Sequence, residues 1–178
     1  SVLKLCNSRL AIAEEADMIL FEVDGTEIST DEAARQIAEI CKPLALNTRI
    51  VSGLEMQDIW AARRLVGAAI SQLDPHKTRV YMGEDVGVPI KEMPALIRRV
   101  QQIAGKLDIP AMKYGHIGDG NLHVALFIDV ADQVQWEKLR LAADRIHRAA
   151  LDLGGTVSSE HGIGLARAEY LLEQLGSD

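Results

Sequence analysis

The sequence predicts one α+β domain over residues 1–178. Short apolar segments alternate with longer segments whose hydrophobic residues recur at helical spacing. Such alternation alone would also fit a parallel α/β sheet. However, the glycine-rich segment between His116 and His123 is too short to hold a crossover helix, so the strands on either side of it must pair antiparallel. The mixture of helices with direct strand-turn-strand pairing favours the α+β class.

Helices are predicted where apolar spacing coincides with start and stop signals. Thr30, followed by Asp31 and Glu32, resembles an N-terminal cap, and Pro43 ends the helix that follows it. The pair Gly154-Gly155 is typical of a helix stop. The predicted helices cover residues 30–42, 55–73, 94–107 and 132–153, and residues 162–167 are predicted to be the first turn of a terminal helix.

Strands are predicted where four to eight apolar or β-branched residues lie between turn signals. The segment 124–128 is apolar and ends at Asp129, which places His123 at the mouth of its strand. The predicted strands are residues 18–23, 49–52, 79–85, the segment leading to His116, 122–128 and 156–158.

Composition and charge exclude several classes of function. The net charge is −7 and the basic residues are scattered, whereas a nucleic-acid-binding face would need clustered basic residues. No run is long enough to span a membrane and no signal peptide is present, so we expect a cytoplasmic protein that meets a membrane only through partner subunits. Cys6 and Cys41 match no metal or redox spacing and are expected to be free thiols.

Two short segments, residues 115–123 and 159–164, hold three of the five histidines together with two carboxylates and five glycines. Neutral imidazole and carboxylate are preferred ligands of zinc and its first-row neighbours, and a catalytic site uses three such ligands with one position left open. His116, His123 and Glu160 would supply that set. The alternative is a glycine-rich turn with incidental histidines, followed by an ordinary helix start.

The other two histidines are given no role. His76 follows Pro75 in a loop, and His147 lies on a charged helix. Both are expected to be surface residues or satisfied core groups.

The strings His-Ile-Gly-Asp-Gly-Asn-Leu-His and Glu-His-Gly-Ile-Gly, about forty residues apart, resemble the C-terminal substrate domain of FAD-linked oxidases of the vanillyl-alcohol oxidase type. Family members of this kind include the glycolate oxidase flavin subunit, D-lactate dehydrogenase and D-2-hydroxyglutarate dehydrogenase. Weaker matches are the segments 21–25, 59–63 and 84–89, which contain Phe-Glu-Val-Asp-Gly, a Trp-x-x-Arg pattern and an acidic strand that ends in Val-Pro. The resemblance covers residues 17–172.

The resemblance implies a role for each matching residue. His116, His123 and Glu160 correspond to the ligands of a divalent metal, with zinc, manganese and iron(II) as candidates. His161 corresponds to the base that takes the hydroxyl proton while hydride leaves Cα for the flavin. Asn121 corresponds to a polar residue that lines the pocket, and Arg63 to the arginine that holds the substrate carboxylate. From helical spacing alone, Arg63 and Arg64 would both be solvated surface residues.

The resemblance also implies an architecture and partners. It implies an antiparallel sheet of ferredoxin-like character with helices on one face, while the other face meets an FAD-binding domain of the same polypeptide. No glycine-rich phosphate loop is present, so FAD would be bound mainly by that N-terminal domain, and the chain is expected to be a truncated fragment. An iron-sulfur electron-transfer subunit is a further expected partner.

Two departures from the family pattern bear on specificity. Met82, Gly83 and Glu84 precede Asp85 where some 2-hydroxyglutarate-specific members carry a lysine, which favours a small 2-hydroxy monocarboxylate such as glycolate or lactate. Arg167 stands where the family usually has lysine, and its role is left open. Two other functions remain possible from the residues alone: a self-contained metal-dependent hydrolase with the same ligands, and a non-catalytic α+β binding module.

Overall fold

The computed structural model describes residues 17–45, 47–72 and 74–176, so Cys6 lies outside the described residues. The chain divides into two compact units, Ser1–Ala69 and Ile70–Asp178. Each unit is described by itself.

The first unit is helical over its described residues. Helix α1 spans Glu27–Cys41 and helix α2 spans Gly53–Ile70, whose last residue belongs to the second unit. The cap of α1 is Thr26, whose side chain accepts a hydrogen bond from the Ser29 amide, so the prediction of a cap at Thr30 is wrong. Thr30 lies inside the helix and donates its hydroxyl back to the Thr26 carbonyl oxygen.

The strands predicted at residues 18–23 and 49–52 are not formed. Both segments have β-branched and apolar residues, but neither pairs with a strand among the described residues. An extended segment needs a hydrogen-bonded neighbour to be a stable strand, and sequence pattern alone does not supply one.

The second unit contains a four-stranded antiparallel sheet. Strand β4, Asn121–Ile128, lies at its centre and is buried along its whole length. Strand β3, Ala111–His116, pairs along one edge of β4, while β1, Thr78–Val80, and β2, Val86–Gly87, pair with opposite ends of β4 along the other edge. Helices and antiparallel strands are thus combined in one unit, which confirms the α+β prediction.

Of the strand predicted over residues 79–85, only residues 79 and 80 belong to a strand, β1, and β2 begins just after Asp85. Asp85 adopts a positive φ of 70°, in the left-handed region, where a strand cannot continue. The predicted strand 156–158 is reduced to a single bridge between Thr156 and Gly87.

Helices α3, Met93–Leu107, and α4, Gln133–Asp152, form the core with the sheet. Helix α3 has Pro94 in its first turn, and its C-terminal cap is Asp108, which has a positive φ of 52°. Asp132 caps α4 by accepting the amides of Val134 and Gln135. The buried apolar residues of both helices recur every three or four positions: Met93, Leu96, Val100 and Ala104 on α3, and Leu139, Ala142, Ile146, Ala149 and Ala150 on α4.

Alternation along β4 separates the apolar core from the predicted site. Leu122, Val124, Leu126 and Ile128 belong to the cluster that packs with α3 and α4. Because side chains alternate along a strand, Asn121 and His123 point to the opposite face of the sheet.

The terminal helix α5 spans Ala168–Leu175, so the prediction that residues 162–167 form its first turn is wrong. Gly162 and Gly164 have φ values of 80° and 54°, which are incompatible with a right-handed helix. Residues 162–167 are therefore an irregular segment in front of α5.

His147 is buried on α4, with only 1% of its surface exposed. Both of its ring nitrogens lack hydrogen-bond partners among the described residues, and its ring lies against Tyr170 at a centroid distance of 4.6 Å. It is neither the surface residue nor the satisfied core group that the sequence suggests.

Among the helices of the described ranges, none has the length and apolar character needed to cross a bilayer.

Candidate metal and substrate site

The β3–β4 hairpin brings the first two histidines together. A single 3₁₀ turn, Ile117–Asp119, and Gly120 at a φ of 71° reverse the chain between the strands. In the resulting register His116 lies opposite Asn121, and Tyr114 lies opposite His123. These four side chains therefore share the sheet face that lies away from α3 and α4.

A loop of residues 156–161 brings Glu160 and His161 to the same place. It begins at the Thr156–Gly87 bridge, in which each backbone amide donates to the other residue's carbonyl, at 2.8 and 3.0 Å. A side chain on Gly87 would collide with the Ser159 hydroxyl, because a Cβ there would lie 2.5 Å from Oγ. Glycine at position 87 therefore lets the loop approach the sheet closely.

Glu160 lies between the histidines. Its Oε1 is 3.5 Å from Nε2 of His116, and its Oε2 is 3.7 Å from Nε2 of His123 and 3.8 Å from Nε2 of His161. The rings of His123 and His161 stack with centroids 5.3 Å apart and an interplanar angle of 12°. The fold therefore brings together all four residues that the two motifs predict as metal ligands and base.

The described residues offer two groups that could hold a metal ion. One is His116, His123 and Glu160, and the other is Glu84, His123 and His161, with the ligand atoms of each group within 4.8 Å of one another. Tetrahedral zinc with nitrogen and oxygen ligands requires ligand atoms about 3.4 Å apart. The 3.5 and 3.7 Å separations around Glu160 are close to that value.

The second group is less suited to a cation, because its carboxylate already has a positive partner. Glu84 accepts a hydrogen bond from Nη2 of Arg79 at 2.6 Å, with both side chains buried. A divalent ion beside a buried guanidinium would be repelled. The group of His116, His123 and Glu160 therefore fits a metal better.

Burial favours the neutral form of His123. Its side chain is 5% exposed, and this burial lowers the pKa of its imidazole, while the carboxylates of Glu160 and Glu84 only partly offset the effect. The neutral imidazole is the form that binds a metal ion. His116, Glu160 and His161 are 46%, 43% and 49% exposed, so the site has a buried floor and an accessible rim.

A buried polar group next to His123 was not predicted from the sequence. Arg79, Glu84 and Tyr114 are joined by hydrogen bonds, and Oε1 of Glu84 lies 4.0 Å from Nδ1 of His123. Strand periodicity could have found Tyr114, which is two residues before His116 and so shares its face. Glu84 could not be found this way, because the bend at Asp85 interrupts the strand pattern.

Asn121 is 1% exposed and donates from Nδ2 to Oδ1 of Asp85 at 3.0 Å, while its own Oδ1 has no partner among the described residues. Arg167, whose role the sequence left open, is buried and donates to the carbonyl oxygens of Gly162 and Glu84 at 2.7 and 2.8 Å. These hydrogen bonds connect the segment at Gly162 to the segment at Glu84.

Arg63 lies half-buried on α2 in the first unit, and Arg64 is exposed. The role of Arg63 therefore stays a prediction.

The fold and site define a class of protein: an α+β domain that presents a histidine-carboxylate cluster on the sheet face opposite its helices. The chain belongs to the family described as FAD linked oxidases, C-terminal domain, whose model matches residues 2–178. This establishes the family that the two histidine motifs resemble.

Similar curated proteins have related names. The glycolate oxidase subunit GlcD of Bacillus subtilis is 32% identical over 157 residues, which cover 86% of this chain and 32% of the relative. D-lactate dehydrogenase of Anaerostipes hadrus is 27% identical over 87% of this chain, and D-2-hydroxyglutarate dehydrogenase of Stutzerimonas stutzeri is 25% identical over 88%; in both, 35% of the relative is covered. The chain thus spans about a third of the length of these relatives.

Proposed function

We propose that this chain is the metal- and substrate-binding domain of an FAD-dependent 2-hydroxy acid dehydrogenase or oxidase. The observation that carries the proposal is the position of the Glu160 carboxylate, within 3.5 and 3.7 Å of the Nε2 atoms of His116 and His123. Membership of the FAD-linked oxidase family and relatives named for glycolate, D-lactate and D-2-hydroxyglutarate support it.

His116, His123 and Glu160 would hold the metal, with zinc as the first candidate and manganese or iron(II) as alternatives. A divalent cation held there would lower the pKa of a substrate α-hydroxyl. The two histidines approach from adjacent strands and the carboxylate from the loop, so one side of the cluster is left for substrate.

His161 would be the general base. Its ring stacks on the buried ring of His123, which fixes its plane, while half of the side chain is exposed to accept a proton. Asn121 would line the pocket through its unpartnered Oδ1, and Arg63 would hold the substrate carboxylate. An FAD-binding domain of the same polypeptide would supply the flavin that accepts the hydride.

The substrate is proposed to be a small monocarboxylate of the glycolate or D-lactate type. Near the site, the segment before Asp85 offers the carboxylate of Glu84 and no lysine. Two cations near this segment, Arg79 and Arg167, are already paired with Glu84 and Asp85. A dicarboxylate is therefore disfavoured at this end of the site.

The role of His161 is tested by His161→Ala in the enzyme that contains this domain and its FAD-binding domain. Removing the base should slow flavin reduction by substrate about 100-fold or more in single-turnover measurements. His76→Ala, which changes an exposed loop histidine, is the matched control and should leave the rate unchanged. Normal flavin reduction in His161→Ala would exclude this residue as the base.

The proposed reaction has a separate test. Hydrolysis of esters or phosphoesters by the chain without flavin would contradict it.

A further inference from the structure

Asp85 carries a fully buried carboxylate at the bend between β1 and β2. It holds a left-handed backbone conformation, at a φ of 70°, that only glycine, asparagine and aspartate adopt readily. A charge with no exposed surface and a strained backbone are both costly, so the groups around this carboxylate must compensate for the cost.

The compensating groups come from the loop that carries Glu160 and His161. The Asp85 carboxylate accepts the backbone amide of Ser159 at 3.2 Å, that of Glu160 at 3.1 Å and that of His161 at 2.8 Å. It also accepts the hydroxyl of Ser158 at 2.8 Å. Four consecutive residues thus direct their donors at one carboxylate, as a chain does when it wraps an anion.

These hydrogen bonds stabilise the ionised form of the carboxylate. Burial by itself raises the pKa of Asp85, but the amides of His161 and Glu160 and the hydroxyl of Ser158 outweigh burial, and the net pKa is lowered. Nη1 of Arg167 lies 3.6 Å from Oδ2 and supplies a compensating positive charge. The loop donors and Arg167 therefore both favour a charged carboxylate at this position.

The same carboxylate also reaches β4. Asn121 donates to Oδ1 of Asp85 at 3.0 Å, and Asn121 is only two residues before His123. Asp85 is thus hydrogen-bonded both to the strand that carries one proposed ligand and to the loop that carries another. A shift of this carboxylate would change the distance between His123 and Glu160.

We propose that Asp85 is a positioning residue that fixes Glu160 and His161 against the two histidines of the hairpin. This inference rests on the proposed function, because it assigns a purpose to the geometry of that site. Among the described residues, Asp85 bonds Glu160 and His161 through their backbone amides, so it acts through the backbone of the loop. Partners of this kind usually change metal affinity by about 10- to 100-fold when they are replaced.

The test is Asp85→Asn in the 178-residue chain. Asparagine keeps the size and tolerates the positive φ, but it replaces one acceptor oxygen by an NH2 group, and both oxygen positions of Asp85 face hydrogen-bond donors. Asp108→Asn is the matched control, because Asp108 also has a positive φ, of 52°, yet caps α3 far from the loop in sequence. Two quantities are measured: the affinity for zinc and the hydrogen exchange of individual backbone amides.

We expect Asp85→Asn to weaken zinc binding about 10- to 100-fold and to accelerate exchange at the amides of Ser159, Glu160 and His161. The amides of β4 should stay protected in the same variant, which separates a displaced loop from a general loss of structure. Asp108→Asn should change neither quantity. Unchanged zinc affinity and unchanged loop protection in Asp85→Asn would overturn the inference.

The two readouts also separate this inference from the proposed function. If the unmodified chain binds no zinc, the metal proposal fails, but faster exchange at the loop amides in Asp85→Asn still supports the positioning role, and unchanged exchange still refutes it. If Asp85→Asn does not fold, Ser158→Ala removes a single donor from the carboxylate. Faster exchange at Glu160 and His161 is then the supporting result, and no change is the contradicting one.

Discussion

At the scale of single residues, the site combines a buried histidine with a buried ion pair. His123 lies between Glu160, on the exposed side, and Glu84, whose carboxylate forms an ion pair with Arg79. An unpaired carboxylate this close would favour the protonated imidazole, which does not bind metal. Pairing Glu84 with Arg79 therefore helps to keep His123 neutral.

The buried ion pair between Arg79 and Glu84 is expected to contribute to the stability of the fold. Glu84→Gln would remove the carboxylate charge that pairs with the buried guanidinium of Arg79, so the free energy of unfolding should fall by about 3 kcal/mol. Glu173→Gln breaks the Arg148–Glu173 pair, whose side chains are about half exposed, and should have little effect. Urea unfolding of both variants measures the difference. Equal stability of Glu84→Gln and the unmodified chain would show that the pair does not compensate a buried charge.

The two histidine motifs could be predicted from sequence because their chemistry is local. The ligand types and the tight turn between His116 and His123 are both visible in one string of residues. Asp85 could not be assigned in this way, since one of the amides that it accepts, that of His161, is 76 residues away along the chain. A contact over that distance in sequence depends on the register of the sheet.

At the scale of elements, the β3–β4 hairpin decides whether the two histidines meet. Its turn depends on Gly120, which has a φ of 71° and whose Cβ position lies 2.1 Å from the carbonyl oxygen of Val88. Gly118 is in the same turn, but a Cβ there would meet no atom within 4 Å. Of these two positions, the one at Gly120 therefore requires glycine, whereas the one at Gly118 has room for a side chain.

Gly120→Ala is expected to reduce the free energy of unfolding by about 2 kcal/mol or more, because both the backbone conformation and the contact with Val88 oppose a side chain. Gly118→Ala, the control in the same turn, should change stability by less than about 1 kcal/mol. Urea unfolding midpoints distinguish the two. Similar losses in both variants would mean that the left-handed turn is not what makes glycine necessary.

Element prediction succeeded where long apolar runs lie between start and stop signals, and two of its failures lie where the backbone adopts a positive φ. Helices α3 and α4 and strand β4 lie within two residues of their predicted bounds. The strand predicted through Asp85 and the helix start predicted at Gly162 are wrong, because both residues adopt positive φ values that the hydrophobic pattern does not reveal.

At the scale of the whole molecule, the α+β class follows from the sequence, whereas the pairing that builds the sheet does not. Strand β4 pairs with three other strands, and its two faces serve different purposes: one packs on α3 and α4, and the other carries the site. The sequence of β4 shows this division only in its first half, where Asn121 and His123 alternate with Leu122 and Val124, because residues 125–128 are all apolar.

Buried His147 makes the stability of the molecule depend on pH. Burial, aided by the charge of Arg167 and partly opposed by Asp144, lowers its pKa from 6.5 to about 4. The unfolded chain therefore binds a proton between these two pH values while the folded chain does not, so this stabilising contribution is complete above pH 6.5 and is lost as pH falls toward 4.

Replacement of His147 by leucine should remove this dependence. Between about pH 7.5 and about pH 5 the unmodified chain should lose about 2 kcal/mol more stability than His147→Leu, as measured by urea unfolding at both values. The comparison cancels the contributions of groups that are common to both proteins. Equal losses would show that His147 titrates normally in the folded chain.

We propose that His116, His123 and Glu160 together hold a metal ion, and the metal content of the purified chain tests this most directly. After loading with zinc or manganese and dialysis, we expect about one ion per chain in the unmodified protein and in His76→Ala. We expect none in His116→Ala, His123→Ala and Glu160→Ala. An unmodified chain without metal, or an ion retained by all three of these variants, would contradict the account.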